Sequence, residues 1–250
     1  MRVIPVLDLA RGQAVSGRGG RRDTYEPVRS RLVSAAGDAR ALAGAYRDVL
    51  GCDEWYVADL DALAGGAVQR EVLRDLATLG GRLLVDAAVT TPARAGALLA
   101  DGVHRLIVGL ETLPSFEALA AVTRAGGPAG VIFSLDLRNG RPLGASGAGG
   151  TPGELARRAI EAGASGLLVL DVARVGTAQG VDVVLLSALR RAHPDVELLA
   201  GGGLATARQL EQLGDLGLDA ALVGTALHDG TLSAGDLSML RHGDHSSDSR

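Results

Sequence analysis

The sequence predicts a single (β/α)8 barrel. Eight short apolar runs alternate with helical patterns along the chain, as a parallel barrel requires. A length of 250 residues suits one such barrel and a large core. The chain also repeats itself. The stretch from Leu83 aligns without a gap on the stretch from Leu198, so Asp101-Gly102-Val103 falls on Leu216-Gly217-Leu218, and Val108-Gly109 on Val223-Gly224. Leu7-Asp8-Leu9 likewise resembles Leu135-Asp136-Leu137, each followed by a glycine, Gly12 or Gly140. Two matches in the same order point to two half-barrels, with Asp8 and Asp136 on opposite sides of the mouth.

Each element follows in order. Val3–Leu7 is strand 1, ending at Asp8. Residues 9–31 read as a long polar loop with six arginines: Arg11, Arg18, Arg21, Arg22, Arg29 and Arg31. Asp38 caps a helix through Leu42, Ala45, Tyr46 and Val49, which Gly51 stops. Trp55–Ala58 is strand 2, ending in Asp59-Leu60-Asp61, and Val68–Leu79 is a helix. Arg82–Val85 is strand 3, ending at Asp86, and Pro92 opens the next helix at its first position. Arg105–Val108 is strand 4, Ser115–Ala125 a helix, and Val131–Leu135 strand 5, ending at Asp136. Gly144–Gly150, rich in Gly, Ser and Ala, is a mobile loop. Thr151-Pro152 starts a helix reaching Ala162. Leu167–Leu170 is strand 6, ending at Asp171, and Val181–Ala192 is a helix. Val196–Ala200 and Leu222-Val223 are strands 7 and 8, around a helix from Thr206. The barrel is expected over residues 1–234, and 235–250 as a polar, frayed tail.

Composition excludes several classes. There is no lysine, and all 25 basic residues are arginine, so lysine Schiff-base chemistry is out. Net charge is −4 and aromatics are 2% of the chain, which gives neither general attraction nor stacking platforms for nucleic acid. No apolar run reaches the roughly 18 residues of a membrane span. Cys52 is the single cysteine, so no internal disulfide forms, and the cytosol is the expected compartment.

Two constellations carry chemistry. Gly201-Gly202-Gly203 follows strand 7, and Gly224-Thr225 follows strand 8. Glycines let backbone N–H groups converge, and the helix from Thr206 adds its dipole. In this fold a phosphate site often lies after strands 7 and 8. A phosphate is therefore expected on Gly202, Gly203, Gly224 and Thr225, and the plain alternative is two tight turns. Of six aspartates at strand ends, Asp59 and Asp61 read as helix caps or arginine partners. Asp8 and Asp136, equivalent by the repeat, read as an acid and a base. No cofactor is expected. The five histidines lack ligand spacing, with His104 and His193 before strands, though an all-carboxylate Mg²⁺ site stays open. Cys52, ahead of strand 2, reads as a buried inert thiol. No Ser/His/Asp set carries the signature of a nucleophile elbow.

Ile4-Pro5-Val6-Leu7-Asp8-Leu9, Val57-Ala58-Asp59-Leu60-Asp61, Ser134-Leu135-Asp136-Leu137, Arg174-Val175-Gly176-Thr177-Ala178-Gln179-Gly180, Gly201-Gly202-Gly203 and Val223-Gly224-Thr225-Ala226-Leu227 resemble the histidine-biosynthesis barrels, the HisA/HisF family of ribotide isomerase and cyclase. The resemblance runs to about residue 230. It implies an Amadori rearrangement of an aminoaldose by Asp8 and Asp136, with two phosphates gripped, one per half. It also brings in Gly176 and Thr177 as phosphate residues. Three departures stand out. Asp86-Ala87-Ala88-Val89-Thr90 replaces a Gly-Gly-Gly-Ile-Arg-type turn, Val175-Gly176-Thr177 replaces Asp-Gly-Thr, and Leu170 stands where a threonine is expected. One phosphate site looks intact and the other lost. The stretch from Ala14 to Ser30 resembles a paralogue group of archaea and methylotrophs associated with methanopterin-type one-carbon metabolism.

The expected function is isomerase-type acid/base work on a small phosphorylated metabolite. The alternatives are another reaction on a ligand with one phosphate, in one-carbon cofactor metabolism, and a catalytically silent phosphate binder. Arg18, Arg21 and Arg22 either form a solvated basic loop or fold over the ligand. Neither nucleic acid nor membrane is an expected partner.

Overall fold

The computed structural model describes residues 1–17, 24–127, 130–144 and 149–243, with side chains up to residue 241. Eight parallel strands close on themselves: β1 (Arg2–Ala10), β2 (Glu54–Asp59), β3 (Arg82–Asp86), β4 (Arg105–Gly109), β5 (Val131–Arg138), β6 (Gly166–Asp171), β7 (Glu197–Gly201) and β8 (Ala220–Val223). Each pairs with the next, and β8 returns to β1 from Arg2↔Ala220 to Pro5↔Val223. The helices are α1 (Ala39–Asp48), α2 (Arg70–Ala77), α3 (Pro92–Ala100), α4 (Phe116–Gly126), α5 (Pro152–Glu161), α6 (Val183–Ala192), α7 (Ala207–Asp215) and α8 (Ala234–Gly243). This is the (β/α)8 barrel that the alternation predicts.

Side-chain alternation builds two cores. Ile4, Tyr56, Leu84, Ile107, Ile132, Leu168, Leu199 and Leu222 fill the barrel interior. Their neighbours in sequence, such as Trp55, Val57, Leu83, Leu106, Phe133, Leu167 and Leu198, face outward. There they pack against the buried faces of the helices, including Leu42, Tyr46, Leu73, Leu98, Leu119, Leu155 and Leu210. Local chemistry starts the helices where the sequence indicates. Asp38 accepts from the Ala41 N–H, Thr91 precedes Pro92, and Thr151 with Glu154 and Thr206 with Gln209 form reciprocal capping boxes.

The repeat is a repeat of register. Leu84↔Arg105 to Asp86↔Ile107 in one half matches Leu199↔Ala220 to Gly201↔Leu222 in the other, one offset apart. The same offset carries α3 onto α7 and the cap Thr91 onto Thr206. A second offset carries the hairpin turn Arg11-Gly12 onto Asn139-Gly140, all four residues at positive φ.

At the opposite end from the helix-bearing loops, Arg2 bonds Glu54 at 2.5 Å and also Glu197. Arg105 bonds Glu197 at 2.5 Å. This pole of the barrel serves stability.

Two stretches differ from the reading of the sequence. Residues 9–31 are not one long loop. β1 runs on to Ala10 and folds back on a strand at Gln13–Ser16, which pairs with Glu26–Pro27. The period of two simply continues past Asp8, and the positive φ of Arg11 and Gly12 makes the tight turn. The expected tail is in part α8. Ser233 and Asp236 cap each other's backbone there, Leu237 is buried, and Arg241 donates to the Leu50 and Gly51 carbonyls at 2.9 and 2.7 Å. A Ser-x-x-Asp signal lay in the sequence. Residues 244–250 lie outside the described residues.

Candidate active site

The period of two sorts the strand-end aspartates. Asp8, Asp86 and Asp136 stand an even number of residues beyond Ile4, Leu84 and Ile132, so they share the interior face. All three line one cavity of about 880 Å³ at the end of the barrel where the strands finish. Asp59 and Asp171 have the other parity. Asp59 accepts from the Ala62 and Gln69 N–H groups at 3.1 and 2.7 Å. Asp171 accepts from those of Asn139, Gly140 and Ala173. Asp61 takes the Arg11 N–H. These three hold turns, Asp59 as a cap and Asp61 through backbone rather than an arginine.

Asp136 is buried. Its Oδ1 accepts from the Ser134 hydroxyl at 2.6 Å and its Oδ2 from the Glu111 N–H at 3.1 Å. Asp86, also buried, accepts from the Ala88 N–H at 3.4 Å. Gly109 lies between them on β4. A Cβ there would stand 2.9 Å from Asp136 Oδ2 and 3.2 Å from Asp86 Oδ2. Asp8, across the barrel on β1, lies near the buried Tyr46 phenol. Burial first, and the Asp8 charge second, push that phenol well above its usual range.

Gly202, Gly203, Gly224 and Thr225 all line the cavity. The first two have φ of +102° and +74°, and a Cβ on either would come within 2.7 Å of the Asp171 or Arg174 carbonyl. Close packing alone therefore requires these glycines. The donors are the more telling feature: among the described residues, no acceptor takes the N–H of Gly202, Gly203, Gly224 or Thr225. Gly202 is buried, where an N–H seldom stays unpaired, and the other three are open to the cavity, so this wall suits an anion. Helix α7 contributes less than its position suggests. The Gln209 side chain takes the Ala205 and Thr206 N–H groups, and Thr206 takes that of Gln209.

Gly176 and Thr177 also reach the cavity. Thr177, however, gives both its N–H and its hydroxyl to the Arg174 carbonyl, at 3.1 and 2.7 Å. The turn equivalent to Gly201-Gly202-Gly203 in the other half is closed. Ala87 and Val89 are fully buried, Asp86 occupies the Ala88 N–H, and Arg94 holds the Ala87 and Ala88 carbonyls at 3.3 and 2.8 Å.

Arg18, Arg21 and Arg22 lie outside the described residues. Arg138 is the arginine that the described residues bring to the cavity. The sequence reading passed over it, along with Gly109, Glu111, Tyr46 and His228. His228 is buried, lines the cavity, and is held by burial at a pKa of about 4. Cys52 is buried, which raises its thiol pKa. Among the described residues, no three His, Cys, Asp or Glu side chains stand together so as to hold a metal, and no helix is long and apolar enough to cross a membrane.

Comparison with known proteins gives a consistent result. The family model for histidine biosynthesis proteins matches residues 2–233. A Deinococcus radiodurans protein named 1-(5-phosphoribosyl)-5-((5-phosphoribosylamino)methylideneamino)imidazole-4-carboxamide isomerase is 32% identical, over 92% of this chain and 94% of its own. A Thermus thermophilus protein of the same name is 32% identical, over 93% and 96%. An uncharacterised protein of Methanocaldococcus jannaschii is 29% identical, over 93% and 95%.

Proposed function

The chain belongs to the histidine biosynthesis protein family, and on that premise we propose that it is an isomerase-type enzyme acting on a small metabolite with one phosphate. Gly202, Gly203, Gly224 and Thr225 hold that phosphate. Asp8 is the general base and Asp136 the general acid. The observation that carries this reading is the row of cavity-lining N–H groups without an acceptor among the described residues, facing a mouth that holds inward aspartates from both halves.

The chemistry follows that of an aldose–ketose isomerisation. Asp136 gives a proton to the ring oxygen of an aminoaldose as the bond from that oxygen to C1 breaks and the nitrogen lone pair forms C1=N. Asp8 removes the proton on C2, whose electrons form C1=C2 as the C1=N pair returns to nitrogen, and the enol hydroxyl then loses its proton as C1 gains one, giving the aminoketose. No electrons leave the substrate, so no redox partner is needed. Asp86 adds a second carboxylate on the same side of the mouth, facing Gly109 as Asp136 does.

The named relatives act on a substrate with two phosphoribosyl groups. Here the second turn has a carboxylate at Asp86 and no open glycines, which favours a substrate with one phosphate. The closed turn after β3 favours a reaction outside histidine synthesis, with one-carbon cofactor metabolism as the second reading. The test is metabolite screening followed by turnover of the Asp8→Asn and Asp136→Asn variants. Full turnover in both makes the aspartate pair structural and overturns the isomerase reading, whereas binding without turnover of any screened metabolite leaves a silent binder.

A further inference from the structure

His228 ends the single helical turn Thr225–His228 that follows the Gly224-Thr225 anion wall. Its N–H, with that of Leu227, donates to the Gly224 carbonyl, at 3.4 and 2.9 Å respectively. A peptide unit is planar and trans, so fixing the Gly224 carbonyl also fixes the Thr225 N–H, which points the opposite way. The His228 carbonyl in turn accepts from the Arg31 N–H at 2.8 Å.

The imidazole joins a second chain of hydrogen bonds whose direction is set at its Val6 end. The Val6 carbonyl can only accept, and it takes the Tyr46 hydroxyl proton at 3.1 Å. The Tyr46 oxygen, 3.4 Å from His228 Nε2, must then accept from it. That leaves Nδ1 as an acceptor for the Ser30 hydroxyl at 3.2 Å. Ser30 Oγ accepts from the Leu32 N–H, which can only donate, at 3.1 Å. The network thus assigns one neutral tautomer, protonated on Nε2. Val6 lies two residues before Asp8, just past Pro5↔Val223, the last rung of the β1–β8 ladder. Where strand pairing stops, Tyr46 and His228 take over the connection between β1 and the turn after β8.

We propose that His228 is a positioning residue for anion binding, fixing the Gly224–Thr225 peptide relative to the strand that carries Asp8. This rests on the reading that the turn holds a phosphate. Removing the imidazole unties this turn from β1, and the donor shifts from its place although the backbone bonds to the Gly224 carbonyl and every ligand contact remain.

The experiment measures binding of inorganic phosphate to the full chain by calorimetry. His228→Phe keeps an aromatic ring, a little larger, and removes both side-chain bonds, and is expected to weaken phosphate binding roughly tenfold. His228→Gln offers a donor and an acceptor at similar spacing and is expected to restore most of it. Tyr46→Phe should weaken binding, and adding it to His228→Phe should cost little more, because the two act through one chain. Thr225→Glu separates the phosphate site from the role of His228. If it abolishes binding while His228→Phe and Tyr46→Phe leave affinity unchanged, the role of His228 is overturned and the phosphate reading stands. If Thr225→Glu binds phosphate as well as the unaltered protein does, the phosphate reading falls and the inference falls with it. A measurement on the unaltered protein guards against misfolding of a variant. The ¹⁵N spectrum of the imidazoles, with His228 assigned by its loss in His228→Gln, should show the Nε2–H tautomer and a shift on adding phosphate. The other tautomer, or no response to phosphate, overturns the proposal.

Discussion

Asp86 and Asp136 converge on one spot above Gly109, with their Oδ2 atoms 3.2 and 2.9 Å from where a Cβ on that glycine would begin. Gly109 has no positive φ, so alanine fits its backbone, and the carboxylates must give way instead. Gly109→Ala is expected to fold and to lose turnover by about 10²-fold, the usual size of a general acid–base effect. Wild-type turnover in this variant would show that the convergence is not used.

Asp8→Asn and Asp136→Asn are each expected to leave substrate binding nearly intact and to cut turnover by about 10²-fold or more. Single-turnover kinetics with the screened substrate separates binding from chemistry. A raised KM with unchanged kcat would make these residues ligands rather than acid and base.

Thr225→Glu is expected to abolish phosphate binding without disturbing the barrel, because residue 225 is exposed. Gly202→Asp is a poorer probe. Its φ of +102° and the nearby Asp171 carbonyl, 2.7 Å from a Cβ, make it a test of folding as well. Calorimetry of the Thr225 variant against the parent decides whether the turn binds phosphate.

Ribotide isomerase activity is expected to be poor or absent. The turn after β3 has lost its glycines, and each missing charged hydrogen bond costs roughly 1.5–3 kcal/mol. Growth of an isomerase-deficient histidine auxotroph carrying this gene, without overexpression, would refute the expectation.

Asp101 gives a pH-dependent contribution to stability. Hydrogen bonds from Arg70, at 2.5 and 2.9 Å, and from Arg74, at 2.7 Å, hold its carboxyl below the usual carboxylate range. The folded value lies below the unfolded one of about 3.9. The stabilisation is therefore complete above that pH and is lost as pH falls through the folded value. Asp101→Asn should cost about 1–3 kcal/mol at neutral pH. The lower end is the better figure, since both arginines are about half exposed. Urea unfolding from pH 3 to 7 should show a shallower acid limb in the variant.

The barrel was legible because its signals are local and periodic. Eight apolar runs, the caps Asp38, Thr91, Thr151 and Thr206, and the repeat around Leu83 and Leu198 each needed only neighbouring residues. Asp8 and Asp136 were legible through that repeat. Counting parity from Ile4 and Leu84 would also have moved Asp86 into the site and kept Asp59 and Asp171 outside it. The Asp86–Gly109–Asp136 convergence was not legible, since it joins three strands through a side chain that glycine lacks. His228 was hidden because its partners Tyr46, Ser30 and Val6 lie far away in sequence. Gln209 taking the α7 donors was readable as a Thr-x-x-Gln box at Thr206, and the anion argument overlooked it.

The unequal turns after β3 and β7 give the mouth a direction. A barrel with two like turns could take a two-ended phosphate ligand either way round, and only the shape of the ligand's middle would choose. On the proposed reading, with Asp86 at one turn and open glycines at the other, the ligand has a single way to sit. The phosphate then acts as a fixed origin, and the reach from Thr225 to the aspartates acts as a ruler. It selects substrates by how many bonds separate their phosphate from the carbon that reacts.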